Sequence, residues 1–361
     1  MYKGARVAAV VPAHNEEALI ARVIETMPPW VDFIVVVDDC STDSTGDAVR
    51  GVGDPRVSLI RHEQNTGVGG AILTGHQVAL DLGADVNVVM AGDGQMDPAF
   101  LPNLLDPVIE DGYGFAKANR FFSMDSFTGM PRHRIFGNVA LSFATKLASG
   151  YWHLFDPQNG YTAVHRHALE RLSFDRIARG YSFENDLLIH LNILRVPAVD
   201  VPIPACYGTE LSGIRLRRVV PEMTSLLLRG FWKRFFYKYV LWSFSPIAMF
   251  LLFGLMLTSM GLLMGSWVVA HTLGTATAST GSVLLAVTPF LIGVNMIMYA
   301  LMLDIQESPD TPVTAMGLPA HWTRAPLERR LMASRTHGPK PRFSAPEGNL
   351  GSGTGSLPAA S

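Results

Sequence analysis

Short β-branched runs alternate with amphipathic segments of helical length over roughly residues 5 to 215. This alternation is typical of an α/β domain with a mostly parallel, doubly wound sheet. The predicted strands are Val7–Val11, Phe33–Val37, Val57–Ile60, Val86–Met90 and Tyr113–Ala118. The predicted helices are Glu16–Met27, 41–51, Gly67–Leu82, Pro98–Leu105, Arg134–Ser149 and Glu184–Leu194, followed by an extended stretch at Val196–Pro204.

A long uncharged stretch follows this domain. No Asp, Glu, Lys or Arg occurs between Lys238 and Asp304, although these residues make up 17% of the chain. Pro246–Val269 and Ser282–Leu303 are apolar runs of the ~20 residues that a helix needs to cross a bilayer core. The polar segment His271–Gly281 separates them. The pattern predicts a hairpin of two transmembrane helices. The alternative, a buried hairpin in a soluble protein, needs a covering layer that the remaining sequence does not obviously supply.

Basic residues flank the hairpin on both sides. They are Arg215, Arg217, Arg218, Arg229, Lys233, Arg234 and Lys238 before it, and Arg324, Arg329, Arg330 and Arg335 after it. Positively charged segments next to membrane spans stay on the cytoplasmic side. We therefore expect a multi-pass protein of the cell membrane whose N-terminal domain and C-terminal tail are both cytoplasmic.

The segment 213–242 joins the domain to the hairpin. Charged residues lie opposite a row of apolar positions with helical spacing. The apolar positions are Val219, Met223, Leu227, Phe231 and Phe235. This pattern predicts an amphipathic helix in the membrane interface, and a helix packed on the domain is the alternative. The predicted boundaries are therefore 1–212, 213–242, 243–304 and 305–361. The last segment is a tail whose Pro-, Gly- and Ser-rich end is expected to be disordered.

Composition removes several classes of function. The net charge of −2 and the isoelectric point near 6.6 give no indication of nucleic-acid binding. Two cysteines, Cys40 and Cys206, are too few for a disulfide framework, and both are expected to be reduced. The first apolar run, Val7–Val11, is too short for a signal peptide, so none is expected.

Polar motifs follow three of the predicted strands. Pro12–Glu17 follows the first strand, Asp38–Asp43 the second, and Gly92–Pro98 the strand that begins at Val86. In open parallel sheets, ligands bind beyond the carboxyl ends of the strands. The three motifs therefore predict one site, rich in carboxylate and amide groups, at this edge of the sheet.

In this order the motifs resemble those of the family 2 glycosyltransferases with the GT-A fold. The resemblance is strongest to the polyprenyl-phosphate glycosyltransferases, the group that includes dolichyl-phosphate mannose synthase. The matching segments are Val11–Glu17, Val37–Asp43, Asn65–Ala71 and Asp93–Pro98. The resemblance implies a nucleotide-sugar-binding GT-A domain, here followed by the hairpin, as in the family members that carry added spans.

The resemblance implies donor contacts at the ends of the first two strands. They are Pro12, Ala13, Asn15, Glu16, Asp38 and Asp39, with Arg215 closing over the donor diphosphate. Asp93 and Gln95 would hold Mg²⁺ or Mn²⁺, for which oxygen ligands are suited, and Asp93 would thereby take part in catalysis. Ala91 departs from the family, which usually has an aspartate there. Either Asp97 or water compensates, or the dependence on metal is weaker.

The acceptor side is expected to be cationic, because a lipid phosphate must be held beside the sugar. Arg120 and Arg134 match the family's phosphate-binding arginines, and a surface ion pair is the alternative for each. Asp156 matches a later family position and is interpreted as an orienting group or a general base. Glu184 and Asp186 match further positions near the reaction centre.

The sequence thus predicts inverting transfer of a hexose, from a donor such as UDP-glucose or GDP-mannose, to a polyprenyl phosphate in the membrane. A phosphate acceptor is already ionised and needs no strong base. One alternative is a hydroxyl acceptor on a glycolipid or lipid-linked oligosaccharide; another is a catalytically silent membrane scaffold that binds nucleotide-sugar. A Rossmann oxidoreductase is not indicated, since no Gly-x-Gly-x-x-Gly follows the first strand. The small-residue spacing of Gly261–Gly265 leaves a homo-oligomer open.

Overall fold

The structure is a computed structural model that describes residues 1–122, 132–204, 216–274 and 277–312. The strands are β1 (Val7–Ala13), β2 (Phe33–Asp38), β3 (Val57–Arg61), β4 (Val86–Val89), β5 (Phe115–Asn119), β6 (Thr162–His165) and β7 (Ala198–Pro202). The helices are α1 (Ile20–Glu25), α2 (Thr45–Val52), α3 (Val68–Asp81), α4 (Leu101–Asp106), α5 (Arg132–Ser149), α6 (Arg166–Leu169), α7 (Phe183–Ile193), α8 (Leu216–Phe235), α9 (Pro246–Gly274) and α10 (Thr280–Gln306). The predicted α/β class, with a mostly parallel sheet, is confirmed.

The sheet places its strands in the order β3-β2-β1-β4-β6-β5-β7 within the described residues. β6 runs antiparallel to β4 and β5, and every other neighbouring pair is parallel. The carboxyl ends of six strands therefore lie at one edge, where β6 begins. The sequence analysis did not predict β6, because a four-residue strand is too short to show a period.

The centre of the sheet is buried on both faces. Every residue of β1 is buried, as expected of a parallel strand covered by helices on both sides. The first helix is shorter than predicted. It begins at Ile20 rather than Glu16, because Asn15 has a left-handed backbone (φ 59°) and the amides that follow it donate to side chains of the next loop.

The helix α8 packs against the domain with its predicted apolar stripe. Met223 and Leu227 are buried against Ile189 and Ile193 of α7 and Ala148 of α5. This packing agrees with the alternative of a helix packed on the domain, and the location of α8 in the membrane interface stays a prediction. Hydrophobic periodicity identifies an apolar face but not the surface that covers it.

A second apolar stripe on α8 remains exposed. Val220, Leu228, Trp232 and Phe236 lie on the side away from the domain, and each is between 44% and 60% exposed. The neighbouring helix α5 exposes a stripe of its own with helical spacing, made of Phe136, Val139, Phe143 and Leu147. Contiguous exposed apolar surfaces of this kind mark sites that contact another protein or a membrane.

The two apolar helices α9 and α10 form an antiparallel hairpin, each longer than predicted by several residues. Only 22% of the residues in the most apolar part of each helix are buried, so their apolar side chains face outward. Beyond α10 the chain returns to the domain, where the Pro309 carbonyl accepts a hydrogen bond from the backbone of Ala198, the first residue of β7 (3.1 Å). The hairpin is therefore joined to the domain at both ends.

Glycines allow the two helices of the hairpin to approach closely. A Cβ added at Gly261 would lie 2.6 Å from the Phe290 backbone nitrogen and 2.8 Å from the Ala286 carbonyl oxygen. Gly293 approaches Thr258 in the same way, at 2.5 Å from its backbone nitrogen. Small residues at the helix contact are the common device for packing helices in lipid.

Replacing Gly261 by Ala should separate the two helices and lower the free energy of unfolding by about 1–3 kcal/mol, the usual cost of overpacking. Denaturant titration in detergent micelles measures this change. The matched control is Gly265→Ala, one turn along the same helix, where an added Cβ would meet no described atom within 4 Å. Equal stability of the two variants would contradict the close packing at Gly261.

Candidate active site

The carboxyl edge of the sheet brings the predicted motifs together. Ala13 at the end of β1 is in register with Asp38 at the end of β2, and Val10 of β1 pairs with Val89 at the end of β4. Asp93 follows β4 in the next loop, and Arg120 directly follows β5. The predicted convergence of these loops on one edge is confirmed.

Asn15 joins the loops that follow β1 and β2. Its Oδ1 accepts from the backbone nitrogen (2.8 Å) and hydroxyl (3.2 Å) of Thr42, and its backbone nitrogen donates to the Ser41 hydroxyl (3.0 Å). Glu16 adds a backbone hydrogen bond to the Thr45 hydroxyl (2.8 Å). Asn15 is itself exposed at this edge, where a donor would lie.

The remaining donor positions at the end of β1 are Pro12 and Ala13, and both are buried. The Pro12 carbonyl accepts from the backbone nitrogen of Gly92, in the loop after β4 (3.2 Å). The Ala13 carbonyl accepts from the backbone nitrogen of Asp39 (2.8 Å). Pro12 therefore connects the first polar motif to the third, and Ala13 connects it to the second, through the backbone rather than through a functional side chain.

Asp38 is fully buried at the end of β2, and only one of its oxygens is engaged. Oδ1 accepts from the Ser41 backbone nitrogen (2.8 Å). Oδ2 accepts no hydrogen bond from the described residues and lies 3.5 Å from Nε of Arg61, a half-exposed side chain that covers it. A buried acceptor without a donor is costly, so Asp38 Oδ2 is suited to accept from a ligand hydroxyl or amine once Arg61 moves.

Asp39 supports the neighbouring loop with both carboxylate oxygens. Oδ1 accepts from the Thr66 backbone nitrogen (2.9 Å) and bonds His62 Nδ1 (2.7 Å), while Oδ2 accepts from Gly67 (2.8 Å). Burial alone would raise the pKa of Asp39, but these hydrogen bonds outweigh burial and hold the pKa below its ordinary value. The geometry favours a supporting role over the predicted donor contact.

The glycine-rich segment Asn65–Ala71 packs against the loop before α7. A Cβ at Gly69 would lie 2.5 Å from the Phe183 Cβ, and one at Gly67 (φ +86°) would lie 2.7 Å from the Arg179 carbonyl oxygen. The glycines are therefore required for close approach of α3 to the start of α7. This contact places Glu184, the second residue of α7, near the edge of the sheet.

Asp93 and Gln95 lie in the loop after β4, and both are partly exposed. Asp93 Oδ1 accepts from the Gln95 backbone nitrogen (2.9 Å), which fixes the carboxylate in the turn. Asp97 instead caps the following turn through the Ala99 backbone nitrogen (2.9 Å). At Ala91, where the resemblance implies an aspartate, the backbone nitrogen donates to the Met96 sulfur (3.2 Å).

These side chains fit one kind of metal site. A carboxylate and an amide are oxygen donors of the type that Mg²⁺ and Mn²⁺ prefer. Within the described part of the chain there is no group of three or more His, Cys, Asp or Glu side chains suited to a metal ion. Asp93 and Gln95 therefore fit a cation that completes its shell with a bound diphosphate and water, as Mg²⁺ commonly does, rather than a cage made by protein alone.

Arg120 is fixed by Asp156. Its Nε and Nη2 donate to the two carboxylate oxygens (2.6 and 2.8 Å), and its backbone nitrogen lies 3.3 Å from the same carboxylate. Asn159 adds a weaker contact to Asp156 (3.3 Å). Asp156 is buried with both oxygens engaged, so the geometry supports the predicted orienting role and not that of a general base. Bidentate pairing fixes the plane of the guanidinium.

Lys117 on β5 holds the backbone next to the Arg120–Asp156 ion pair. Its ammonium donates to the carbonyl oxygens of Phe155 (2.7 Å) and Asp156 (2.9 Å) and forms an ion pair with Asp200 of β7 (2.9 Å). Lys117 is 1% exposed. The sequence analysis identified neither Lys117 nor Asp200, although a lysine inside an otherwise apolar strand is a sign of a buried partner.

Glu184 lines a cavity of about 10 Å³, with room for one water molecule, beside His76, Lys117 and Gly160. Burial raises the pKa of the Glu184 carboxyl to about 7. The same burial lowers the pKa of His76 to about 3, so the imidazole is neutral. A carboxyl with a pKa near neutrality is suited to proton transfer.

Two predicted residues are not described at this edge. Arg215 lies outside the described residues. Arg134 lies in the first turn of α5, but its side chain is outside the described part of the chain. Their predicted contacts with phosphate stay predictions.

Comparison with known proteins places this chain among glycosyltransferases. A model of the family described as Glycosyl transferase family 2 matches residues 8–173. The UDP-N-acetylglucosamine--dolichyl-phosphate N-acetylglucosaminyltransferase of Methanococcus voltae is 34% identical over 221 residues, covering 57% of this chain and 87% of that protein. The undecaprenyl-phosphate mannosyltransferase of Micrococcus luteus is 31% identical over 205 residues, covering 55% and 82%.

Solved structures include a more distant similarity. The crystal structure of glucosyl-3-phosphoglycerate synthase from Mycobacterium tuberculosis in complex with Mn²⁺ and UDP-glucose aligns with a TM-score of 0.47 and 24% identity. The alignment covers 64% of this chain and 79% of that chain.

Replacing Glu184 by Gln should remove a pH dependence of stability. The folded protein keeps the Glu184 proton up to about pH 7, whereas an ordinary carboxyl releases it near pH 4.5. The stabilisation from this group is therefore complete below pH 4.5 and is lost as the pH rises to 7. Urea unfolding between pH 4 and about 8 should show Glu184→Gln gaining stability relative to wild type across this window.

The matched control for this measurement is Glu222→Gln on the exposed side of α8. Its unfolding free energy should follow that of wild type at every pH. Parallel pH curves for wild type and Glu184→Gln would show that Glu184 titrates normally.

Proposed function

The chain belongs to glycosyltransferase family 2, and on that premise we propose that it transfers the sugar of a nucleotide-sugar to the phosphate of a polyprenyl lipid. The observation that carries the proposal is the orientation of Arg120, whose guanidinium is held by Asp156 at the edge of the sheet that also bears Asp38 and Asp93. A fixed guanidinium at this edge supports recognition of a phosphate close to a bound donor.

The donor site is proposed at the ends of β1, β2 and β4. Asp38 would accept from the base or ribose, with Asn15 at the exposed end of the same cleft. Asp93 and Gln95 would hold Mg²⁺ or Mn²⁺ on the donor diphosphate, and the cation supplies neutralisation of the leaving group. The chain's own contribution is to orient the two substrates, since correct placement can supply much of the rate enhancement.

A phosphate acceptor agrees with the state of Asp156. Attack by an ionised phosphate on the anomeric carbon breaks the bond to the nucleoside diphosphate and inverts the configuration without removal of a proton. Because Asp156 gives both oxygens to Arg120, it orients the acceptor site and takes no proton in this proposal. Arg134, at the start of α5, is proposed as a second phosphate contact.

The lipid nature of the acceptor is supported by the apolar surface. The outward-facing side chains of α9 and α10 suit two membrane spans. In this proposal the domain and the tail both lie on the cytoplasmic side of the membrane. The exposed stripes of α5 and α8, including Phe143 (57% exposed) and Trp232 (44%), would then enter the headgroup region beside Arg120's end of the sheet. The relatives named for dolichyl and undecaprenyl phosphates support the same acceptor class.

A hydroxyl acceptor on a glycolipid is the second candidate. It is favoured by Glu184, whose pKa of about 7 would suit the general base that a hydroxyl needs. The phosphate acceptor stands first because the fixed guanidinium of Arg120 gains charge pairing with a phosphate and none with a neutral hydroxyl.

The acceptor class is tested directly by offering purified protein in detergent a short polyprenyl phosphate or the matching polyprenol. UDP-glucose, UDP-N-acetylglucosamine and GDP-mannose serve as labelled donors, with and without EDTA. We expect transfer to the phosphate alone, from one donor, and its loss in EDTA. Transfer to polyprenol would establish the second candidate, and binding of donor without any consumption would indicate a silent scaffold.

Asp93→Asn should lower kcat/KM by roughly 100-fold or more, because charge stabilisation by a bound metal is worth several kcal/mol. The control is Asp81→Asn on the exposed end of α3, which should act as wild type. Unchanged turnover in Asp93→Asn would reject the proposed metal position.

A further inference from the structure

The segment Tyr151–Asp156, between α5 and β6, links the domain end of the hairpin to Arg120. We propose that this segment, here called the strut, sets the position of Arg120 relative to the membrane, with Trp152 as the positioning residue that receives the membrane helix. The proposal rests on the proposed function, because it concerns how a lipid phosphate meets Arg120.

One end of the strut is bound to α10. The Trp152 indole nitrogen donates to Asp304 Oδ2 (3.0 Å), near the end of that helix. Ser308, just beyond α10, bonds the backbone nitrogen of Trp152 (3.3 Å) and the Nδ1 of His153 (3.0 Å). Two successive strut residues are therefore fixed to the part of the hairpin where the chain returns to the domain.

The same carboxylate is bound from α8. Arg234, which is 1% exposed, donates to Asp304 through Nη1 (2.6 Å) and Nη2 (3.1 Å), and the Tyr239 hydroxyl also bonds it. Arg234 Nε donates in turn to the Ala148 carbonyl at the end of α5 (2.9 Å). The buried charges fix Asp304, and so the indole contact has a rigid support.

The other end of the strut is bound at the catalytic edge. The Phe155 backbone nitrogen donates to Asp200 (2.5 Å), and Lys117 holds the carbonyl oxygens of Phe155 and Asp156. Asp156 itself has a left-handed backbone (φ 39°) and carries the carboxylate that binds Arg120. Displacement of the strut therefore displaces the group that orients the guanidinium.

The strut has little slack between its ends. Gly150, directly before the strut, has a left-handed backbone (φ +75°), and a Cβ added there would lie 2.5 Å from Nη1 of Arg234. The Tyr151 hydroxyl donates to the Val196 carbonyl (2.5 Å), and the Lys146 ammonium donates to the Trp152 carbonyl (2.8 Å). The His153 ring bonds the Ala198 carbonyl (2.9 Å). A short segment fixed at nearly every residue transmits displacement instead of absorbing it.

The functional consequence concerns height above the bilayer. The phosphate of a membrane lipid lies at a depth that the bilayer sets, so the guanidinium that receives it must be held at a matching depth. The strut fixes the depth of the guanidinium, because it sets the distance between Asp304 at the end of a membrane helix and Asp156 beside Arg120. A purely structural role, in which Trp152 only docks the hairpin, predicts instead equal effects on both substrates.

The test uses two mild variants in full-length protein reconstituted in lipid. Trp152→Phe removes the indole donor and keeps an aromatic ring, and Ser308→Ala removes the second contact. Each should raise KM for polyprenyl phosphate about five- to thirtyfold, the factor that the loss of one or two hydrogen bonds represents, and leave KM for the donor within twofold. The matched control is Trp30→Phe. The Trp30 ring contacts Tyr2 at a tilted angle (centroids 4.7 Å apart, 44° between the planes) outside the strut, so this variant should act as wild type.

A double-mutant cycle identifies the route of the effect. In an Arg120→Lys background, which keeps the charge but loses the bidentate pair with Asp156, Trp152→Phe should change acceptor KM by less than twofold. The same five- to thirtyfold change in both backgrounds, or an equal rise of donor KM, would overturn the proposal. Absence of any transfer by the wild-type protein would reject the proposed function instead.

Discussion

The buried ion pair between Arg234 and Asp304 is the interaction on which the arrangement of domain and hairpin depends. A guanidinium removed from water loses several kcal/mol of solvation, and only a well-placed carboxylate with further hydrogen bonds repays that cost. Arg234 obtains these from Asp304 and from carbonyls at the end of α5. The pair therefore permits one relative placement of α5, α8 and α10 and disfavours others.

The sheet that carries the site is built so that charge accumulates at one edge. Central strands of almost purely apolar sequence leave polar groups only where the strands end, and parallel direction brings those ends together. The antiparallel β6 adds to this arrangement, because it begins at the same edge. The segment that leads into β6 therefore places Asp156 beside Arg120. One reversed strand thus brings the segment after α5 next to Arg120.

Much of this edge was predictable from sequence. The positions of Asn15, Asp38 and Asp93 follow from strand ends, which depend on local runs of apolar residues. The roles of single side chains were less predictable: Asp39 accepts from the Thr66 and Gly67 backbone nitrogens, because hydrogen-bond partners distant in the chain decide where a carboxylate points. Lys117 and β6 were missed for the same reason, since their significance lies in contacts with Asp156, Asp200 and the neighbouring strands.

The sequence also predicted the hairpin, but not its contacts with the domain. The sequence identified Arg234 as one of the basic residues before the hairpin and Asp304 as the end of the uncharged stretch, but not that the two form a buried ion pair. The chain beyond α10 also contacts the sheet, because the Pro309 carbonyl accepts from the Ala198 backbone nitrogen of β7. Truncation before α9 would remove this hydrogen bond and leave the buried Arg234 without its carboxylate partner. A fragment made this way is not a faithful substitute for the full chain, and crystallisation or screening calls for protein that keeps α9 and α10.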